Sequence, residues 1–504
     1  MISVLEVPLL IAAACLSCGA GVWGFYLLLV LKTPKKEEYL KSVKKALNNG
    51  LSYEQLPTIS IVVRAHNEKA AIPRRIENIA ALNYPKEKIE LTVVDDCSTD
   101  GTACLARQML TKLGLQGRIV KNDERLGANA SLNRGVEEST GEFILTTDAD
   151  VTTDSDALLN AVKIFRHLEN VGAVTGTIVP ISRDVTGAVL IEKSYRSFYD
   201  NMLTAESAVG STFPGYSAFT LMKRSSFSPL SVQCGSTDGN ISLAIIRKGL
   251  RYLSAPGICF YEPIEFKAPE QRRQKIRRAS RLIQSTLANK DMLFESRYGS
   301  FGRIVFPLRF AMMIVCPSLL FVGACAMILA SAFLSLKLAL LLMSLPSILV
   351  YAGMKTSFAK LNLVSTFAVH QFYLLTGLVV SQRKTTVWKP AERESAKVER
   401  PMCSRCGDTG CWCSAKSWIA RYLGQGGNPI FLNRMVDISI RNNVPLHFWI
   451  HRWNIGETEE SAARSITRVL SPLLKYAKGK QKKGWLAFKT MLSAVNKIEA
   501  MPCT

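Results

Sequence analysis

The chain has 504 residues, 48% of them hydrophobic, with a mean hydropathy of +0.13 and a formal net charge of +23. That content excludes a simple soluble enzyme and leaves room for a large core plus membrane-spanning segments. The basic balance points to anionic partners such as lipid headgroups or nucleotide phosphates. No nucleic-acid motif accompanies it, and an odd total of 13 cysteines, several in apolar runs, argues against a secreted disulfide framework.

In chain order, Val7 to Leu31 is a 25-residue stretch without a charge, long enough to cross a bilayer as a tilted helix. Lys32, Lys35, Lys36, Lys41, Lys44 and Lys45 follow it, which favours a cytoplasmic side after the helix. A cleaved signal peptide is the rival reading, but its charges should precede the apolar run. Residues 33–56, centred on the amphipathic, Lys-rich stretch Glu37 to Gln55, read as a connector lying along the headgroups before a domain that begins near Pro57.

That domain, residues 57–295, reads as α/β. A β-branched run, Ile59 to Val63, is followed by a helical pattern, and a second apolar run, Leu91 to Val94, ends in Asp95 and Asp96. A third, Glu142 to Thr147, stops at Asp148-Ala149-Asp150. Apolar strands between helical patterns suggest a buried parallel sheet, whose ligands bind at the carboxyl ends of the strands. Three strand ends thus bring Glu68, Asp95, Asp96, Asp148 and Asp150 to one rim, where they repel one another unless a cation or hydrogen-bond donors join them. Mg²⁺ and Mn²⁺ prefer hard oxygen ligands, bind through one or two carboxylates plus phosphate oxygens, and stabilise charge on a leaving phosphate. The rim therefore reads as a divalent metal holding a diphosphate. For a single aspartate such as Asp100 or Asp123, a cap or turn role is the simpler reading.

The succession AHNE (65–68), VVDDCSTDGT (93–102), GANASLNRG (127–135) and TTDAD (146–150) resembles a family 2 inverting glycosyltransferase of the GT-A type, over roughly Pro57 to Leu287. The resemblance implies a Rossmann-like mixed sheet and a nucleotide-diphosphate sugar donor, by family habit a UDP-sugar. It places Ala65, Glu68, Asp95 and Asp96 around base and ribose, and Asp148 and Asp150 on Mg²⁺ or Mn²⁺ and the diphosphate. Arg64 stands nearby, either as a helper or as an ordinary surface charge. Ala128 occupies a place where the family often has lysine, so one phosphate-facing cation is missing or comes from elsewhere. Asn133 and Gly135 keep to the pattern and open a helix against the sheet.

Further along, Asp154 to His167 reads as a helix and Gly172 to Val179 as a strand. Pro214, Gly215 and Tyr216 stand where the family borders the acceptor, with a plain turn as the alternative. Asp238, within Ser236-Thr237-Asp238-Gly239-Asn240, aligns with the base that takes the acceptor's proton; a helix N-cap is its alternative role. Gln274 to Arg278 stands at the family's Q-x-x-R-W segment, with Arg278 where the aromatic is usual. That loss weakens a polymer-synthase reading, while Gln274, Arg277 and Arg278 remain candidates for the acceptor and leaving-group region, since guanidinium matches phosphate oxygens.

Residues 296–384 turn apolar: an interfacial helix with Arg303, Phe306 and Arg309, then Phe310 to Leu334, Leu338 to Tyr351 and Leu363 to Val380 as membrane segments. The middle one is short enough for a partial span. Three crossings would put the tail opposite the catalytic domain, although Arg383 and Lys384 favour the cytoplasm. His370 reads as a packed helix residue.

In the tail, residues 385–504, Cys403, Cys406, Cys411 and Cys413 give C-x2-C-x4-C-x-C, a set for Zn²⁺ or for free or disulfide-linked thiols. Asn428 to Glu457 resembles the closing segment of polysaccharide deacetylases, with Leu446-His447 at its histidine motif. That family's other metal ligands have no counterpart here, which implies an inactive remnant. The expected whole is an integral membrane glycosyltransferase with its catalytic domain on the cytoplasmic face and a glycan or lipid-linked acceptor. Transfer to a polyprenyl or dolichyl phosphate, and a non-catalytic membrane scaffold, are the alternatives.

Overall fold

The computed structural model describes residues 6–181, 187–233, 235–263, 268–355 and 359–382; the Cys cluster and the deacetylase-like segment lie outside the described residues. The strands are β1 Ile59–Ala65, β2 Ile89–Asp95, β3 Gly117–Lys121, β4 Phe143–Asp148, β5 Thr152–Thr153, β6 Val171–Ile181, β7 Phe219–Lys223 and β8 Arg251–Pro263. They form one sheet in the order β3-β2-β1-β4-β7-β6-β8-β5. The β3-β2-β1-β4 half is parallel, and β7 runs antiparallel to both β4 and β6. The sheet is therefore mixed, as the resemblance implies, and the three expected acidic strands lie side by side in its parallel half.

The helices are α1 Glu6–Tyr26, α2 Lys35–Asn48, α3 Ile72–Ala80, α4 Thr102–Leu113, α5 Ala128–Glu137, α6 Ala157–His167, α7 Gly187–Val209, α8 Thr237–Arg247, α9 Ala268–Ala288, α10 Phe306–Phe310, α11 Cys316–Leu334, α12 Leu336–Lys355 and α13 Ala359–Ser381. Alternation along the strands feeds two cores. Ile59, Ile61 and Val63 join Ile72 and Ile76 of α3, Met109 of α4 and Leu158 of α6 on one face. Val62 and Val94 join Leu132 of α5, and Ile241 and Ile245 of α8, on the other. A strand buried on both faces reads as a continuous apolar run, which is why β1 and β2 are so plain in the sequence.

The connector is part of the domain. Tyr39, Val43 and Ala46, the apolar stripe of α2, are buried in the first core, and the Tyr39 hydroxyl donates to the Ser254 carbonyl at 2.8 Å. An amphipathic stripe needs an apolar partner, and here the sheet domain rather than the headgroup layer supplies it.

Among the described residues, four helical stretches are long and apolar enough to cross a membrane: Glu6–Leu31, Phe301–Leu334, Leu336–Gly353 and Val364–Ser381. Two helix boundaries differ from those read in the sequence. The interfacial helix is the start of the same rod as the span after it, through π-helical turns at Phe301–Val305 and Ala311–Val315. The middle segment is long enough for a full span. Arg309, expected at an interface, is buried and pairs with the fully buried Glu206 of α7 at 2.9 Å. Tyr26, at the end of α1, donates to the same carboxylate at 2.8 Å. This knot joins the first apolar helix, α7 and the start of the second span, and burying a charge demands such pairing.

Candidate active site

Parallel register places the strand ends level: Ala65 lies opposite Asp95, and Arg64 lies opposite Asp148. The loops beyond them are stapled together. His66 Nδ1 contacts the Asp96 carbonyl at 2.7 Å, the Asn67 N–H donates to Ser98 Oγ, and the Glu68 N–H donates to Thr102 Oγ1. Asp100 accepts from the N–H groups of Lys69 and Thr102, the loop role expected of it.

Asp95 and Asp96, adjacent in sequence, do different things. Asp95 is 1% exposed; its Oδ1 accepts weakly from the Ser98 N–H, while Oδ2 is buried without a partner among the described residues. It lines a cavity of about 730 Å³ together with Ser98, Thr102, Arg107, Lys112 and Lys121. An orphaned carboxylate oxygen in such a place is costly and marks where a ligand's donor would sit. Asp96 is satisfied within the protein: Oδ1 accepts from Asn122 Nδ2 and the Leu126 N–H, and Oδ2 from the Gly127 N–H. Gly127 has φ +89°, a conformation open to glycine, and opens α5. Asp96 thus anchors the loop that leads into GANASLNRG. Replacing Asp96 by Ala is expected to leave three donors unpaired and to lower stability by about 2–4 kcal/mol, measurable as a fall in melting temperature.

Within that segment, Asn133 exchanges two hydrogen bonds with the Leu230 backbone, and Asn129 Nδ2 donates to the Ser231 carbonyl. Gly135 lies against β1 and β2, where an added Cβ would come within 2.5 Å of Val62.

Asp148 ends β4 and accepts from Arg64 Nη2 at 2.5 Å; the Asp150 carbonyl accepts from Arg74 at 2.9 Å. Beneath them Arg75, 1% exposed, donates to Asn78 Oδ1 and Thr147 Oγ1. Its charge faces both aspartates electrostatically, while burial lowers its pKa to about 10. Among the described residues no three His, Cys, Asp or Glu side chains form a closed metal set. Two half-buried carboxylates still fit Mg²⁺ or Mn²⁺, which complete their shells with substrate phosphate oxygens and water.

Asp238 is 5% exposed in the first turn of α8. The cap of that helix is Ser236, whose Oγ accepts from the Gly239 N–H at 3.1 Å. The alternative N-cap role of Asp238 is thus filled two residues earlier, and Asp238 Oδ1 is buried without a hydrogen-bond partner among the described residues. Burial pushes its carboxyl up to about 6, against the pull of Arg64.

Tyr216 and Arg278 complete the rim. The Arg278 guanidinium lies 3.7 Å over the Tyr216 ring, and both side chains bond Glu262 Oε1 at 2.9 Å. Arg196 holds the other Glu262 oxygen at 2.8 Å and reaches Glu192, which Lys275 also pairs at 2.7 Å. Burial alone would raise Glu262, but Arg196 and Arg278 hold it down at about 2. Of the Gln274–Arg278 segment, Lys275 is internal and Arg278 faces the site, stacking where the family has an aromatic. Gln274 and Arg277 are half-buried on the same helix. Gly215 packs on Leu282 of α9, and its N–H is taken by the Tyr199 hydroxyl at 2.6 Å. Glu262, Arg196 and Arg75 escaped the sequence reading; the one available signal was a lone charge in an otherwise apolar strand or helix face.

A mixed sheet with carboxylates at the ends of parallel strands β2 and β4, a buried carboxylate with one unpartnered oxygen near Asp148 and a cavity at Asp95 defines a GT-A-type domain. Residues 60–230 match the model for Glycosyl transferase family 2, so the chain carries a family 2 glycosyltransferase domain. It is 32% identical over 125 residues to "Probable glycosyltransferase YdaM" of Bacillus subtilis (strain 168), covering 24% of this chain and 30% of that protein. It is 25% identical over 191 residues to "Poly-beta-1,6-N-acetyl-D-glucosamine synthase" of Staphylococcus aureus (strain COL), covering 37% of this chain and 45% of that one. The matches thus span less than half the length of these curated relatives. Among solved structures, "Mannosyltransferase PcManGT from Pyrobaculum calidifontis in complex with GDP-Man and Mn2+" superposes with a TM-score of 0.58 at 24% identity. That superposition covers 74% of this chain and 99% of the mannosyltransferase, and shows the shared fold.

Proposed function

We propose that the chain is a membrane-anchored inverting glycosyltransferase that moves a sugar from a nucleotide-diphosphate donor to a glycan or lipid-linked acceptor, with its catalytic domain on the cytoplasmic face. The observation that carries this reading is Asp238: a buried carboxylate with no capping duty and one unpartnered oxygen, on the same rim as Asp148. Asp238 takes the proton of the acceptor hydroxyl as its oxygen bonds to the anomeric carbon and the bond from that carbon to the diphosphate oxygen breaks. A divalent ion on Asp148 and Asp150 would supply charge stabilisation at the departing diphosphate, consistent with the Mn²⁺ in the mannosyltransferase complex. The Asp95 carboxylate, which can only accept, suits a base with a ring N–H, uracil or guanine, so UDP- and GDP-sugars are the donors to try first. Glu68 stands at the ribose side.

A second acceptor class, a polyprenyl or dolichyl phosphate, is favoured by one contact. Gly377 of α13 lies so close to α9 that a Cβ there would stand 2.8 Å from that of Ala279, which keeps the Arg278 helix against an apolar, span-length helix.

Membranes containing the full chain are expected to transfer radiolabel from a UDP- or GDP-sugar in a reaction that EDTA stops and Mn²⁺ or Mg²⁺ restores. Organic extraction then separates lipid-linked from polymeric product. A protein that binds nucleotide sugars yet turns none over is a scaffold, and the enzymatic reading falls. Because the base must be ionised and burial holds Asp238 at about 6, the transfer rate should fall as pH drops through about 6. A rate flat from pH 5 to pH 8 would remove the assignment.

A further inference from the structure

One guanidinium stands between the two sides of the proposed reaction. Arg64 is the last-but-one residue of β1, and sheet register sets it opposite Asp148 of β4. Its Nη2 donates to Asp148 Oδ1 at 2.5 Å, and its Nη1 donates to Thr237 Oγ1 at 3.2 Å. Thr237 is the first residue of α8 and the neighbour of Asp238. The Thr237 hydroxyl in turn donates a hydrogen bond to Asn129 Oδ1 at 2.7 Å, and Asn129 Nδ2 donates to the Ser231 carbonyl, also at 2.7 Å. A single run of bonds therefore links β4, β1, α8, α5 and the loop before α8. The Arg64–Asp148 pair is largely withdrawn from water, with side-chain exposures of 11% and 28%. Arg64 Nε is buried and makes no hydrogen bond among the described residues, so self-satisfaction does not explain the placement.

The shape of the group matters. A planar guanidinium sends two donors in fixed directions, so it can hold two partners on different elements at a set distance, which a lysine ammonium on a flexible stem does poorly. A carboxylate gripped through one oxygen presents its other oxygen in a fixed direction, the way outer partners orient metal ligands. We propose that Arg64 is a positioning residue that locks the metal-motif carboxylate Asp148 to the first turn of α8, fixing the separation between the diphosphate-binding and proton-accepting sides of the site. This rests on the glycosyltransferase reading above and adds to it a residue that touches neither reacting atom.

The test uses the full chain purified in detergent and compares wild type with Arg64→Lys, Arg64→Ala and Thr237→Val. Mn²⁺ binding is read by electron paramagnetic resonance in the presence of UDP and, in parallel, GDP. Turnover is read in the same preparations. Arg64→Ala is expected to weaken Mn²⁺ binding by about 10- to 100-fold, the usual cost of losing an outer partner of a metal ligand. Arg64→Lys should recover only a small part of this. Thr237→Val, which cuts only the arm to α8, should keep Mn²⁺ affinity within about twofold and lower kcat by at least about tenfold. Millimolar guanidinium chloride should restore part of the lost turnover of Arg64→Ala, and sodium chloride at equal ionic strength should not.

Arg64→Lys equal to wild type in both readouts, Mn²⁺ affinity unmoved in Arg64→Ala, or Thr237→Val with full kcat would each overturn the proposal while leaving the enzyme reading intact. Should Arg64→Ala fail to fold, Arg64→Lys and Thr237→Val decide it alone. Wild type that neither binds Mn²⁺ with a nucleoside diphosphate nor turns over would overturn the glycosyltransferase reading itself, and this proposal with it.

Discussion

Asp238→Asn is expected to lower kcat by about 10²- to 10⁴-fold, the range attributed to a positioned general base, with donor affinity held within about twofold. The side chains are nearly the same size, and Ser236 still caps α8, so the helix keeps its place. The change also removes a carboxylate whose pKa burial has lifted to about 6. Ionisation of such a group weakens the folded state above that pH, so at pH 7.5 the variant should melt no lower than wild type. Loss of activity together with unimpaired stability separates a chemical role from a structural one. Full activity in the variant, or a collapse of its melting temperature, would remove Asp238 from the mechanism.

Glu262→Gln should have the largest effect on stability. Glu262 is buried, joins Arg196 to Arg278, and accepts the Tyr216 hydroxyl. With that carboxylate gone, Arg196 is left among the described residues with Glu192, a partner it shares with Lys275, and Arg278 loses its ion pair. Breaking a buried ion network by removing one partner costs about 3–5 kcal/mol, because the remaining charges stay desolvated. Thermal melts of the purified chain should show a fall of several degrees. Transfer should drop further than the melting point explains, since Tyr216 and Arg278 lose their common anchor. An unchanged melting temperature would mean that water or another side chain already carries the Arg196 charge.

These effects were unequally legible in the sequence. The acidic strand ends could be read because β1, β2 and β4 are buried on both faces and so are mostly apolar, with few polar residues before the rim. Asp238 could be placed by motif, but not freed from a capping role, because only the backbone turn at Ser236 decides which of two neighbouring side chains faces the helix N-terminus. Asp95 and Asp96 are identical in type and adjacent. Their separate tasks follow from side alternation at the end of β2, which sends one toward the cavity and the other toward Asn122 and Gly127. Arg278 read as a lost aromatic; its stacking on Tyr216 depends on a carboxylate 16 residues away on β8. The connector's lysines and apolar stripe fit a headgroup layer as well as a protein surface, since periodicity fixes a stripe but not what covers it. The long apolar helices were plain by composition, while the ion pair between Glu206 and Arg309 joins residues far apart in sequence and leaves no local trace.

That Asp148 and Asp150 form a diphosphate-binding metal site with the substrate's own oxygens is tested most directly by calorimetric titration of UDP and GDP into the purified full chain, with Mn²⁺ or with EDTA. One of the two nucleotides should bind at least about tenfold more tightly with Mn²⁺ than with EDTA, and Asp148→Asn should abolish that difference. Equal affinity with and without the metal, unchanged in Asp148→Asn, would contradict it.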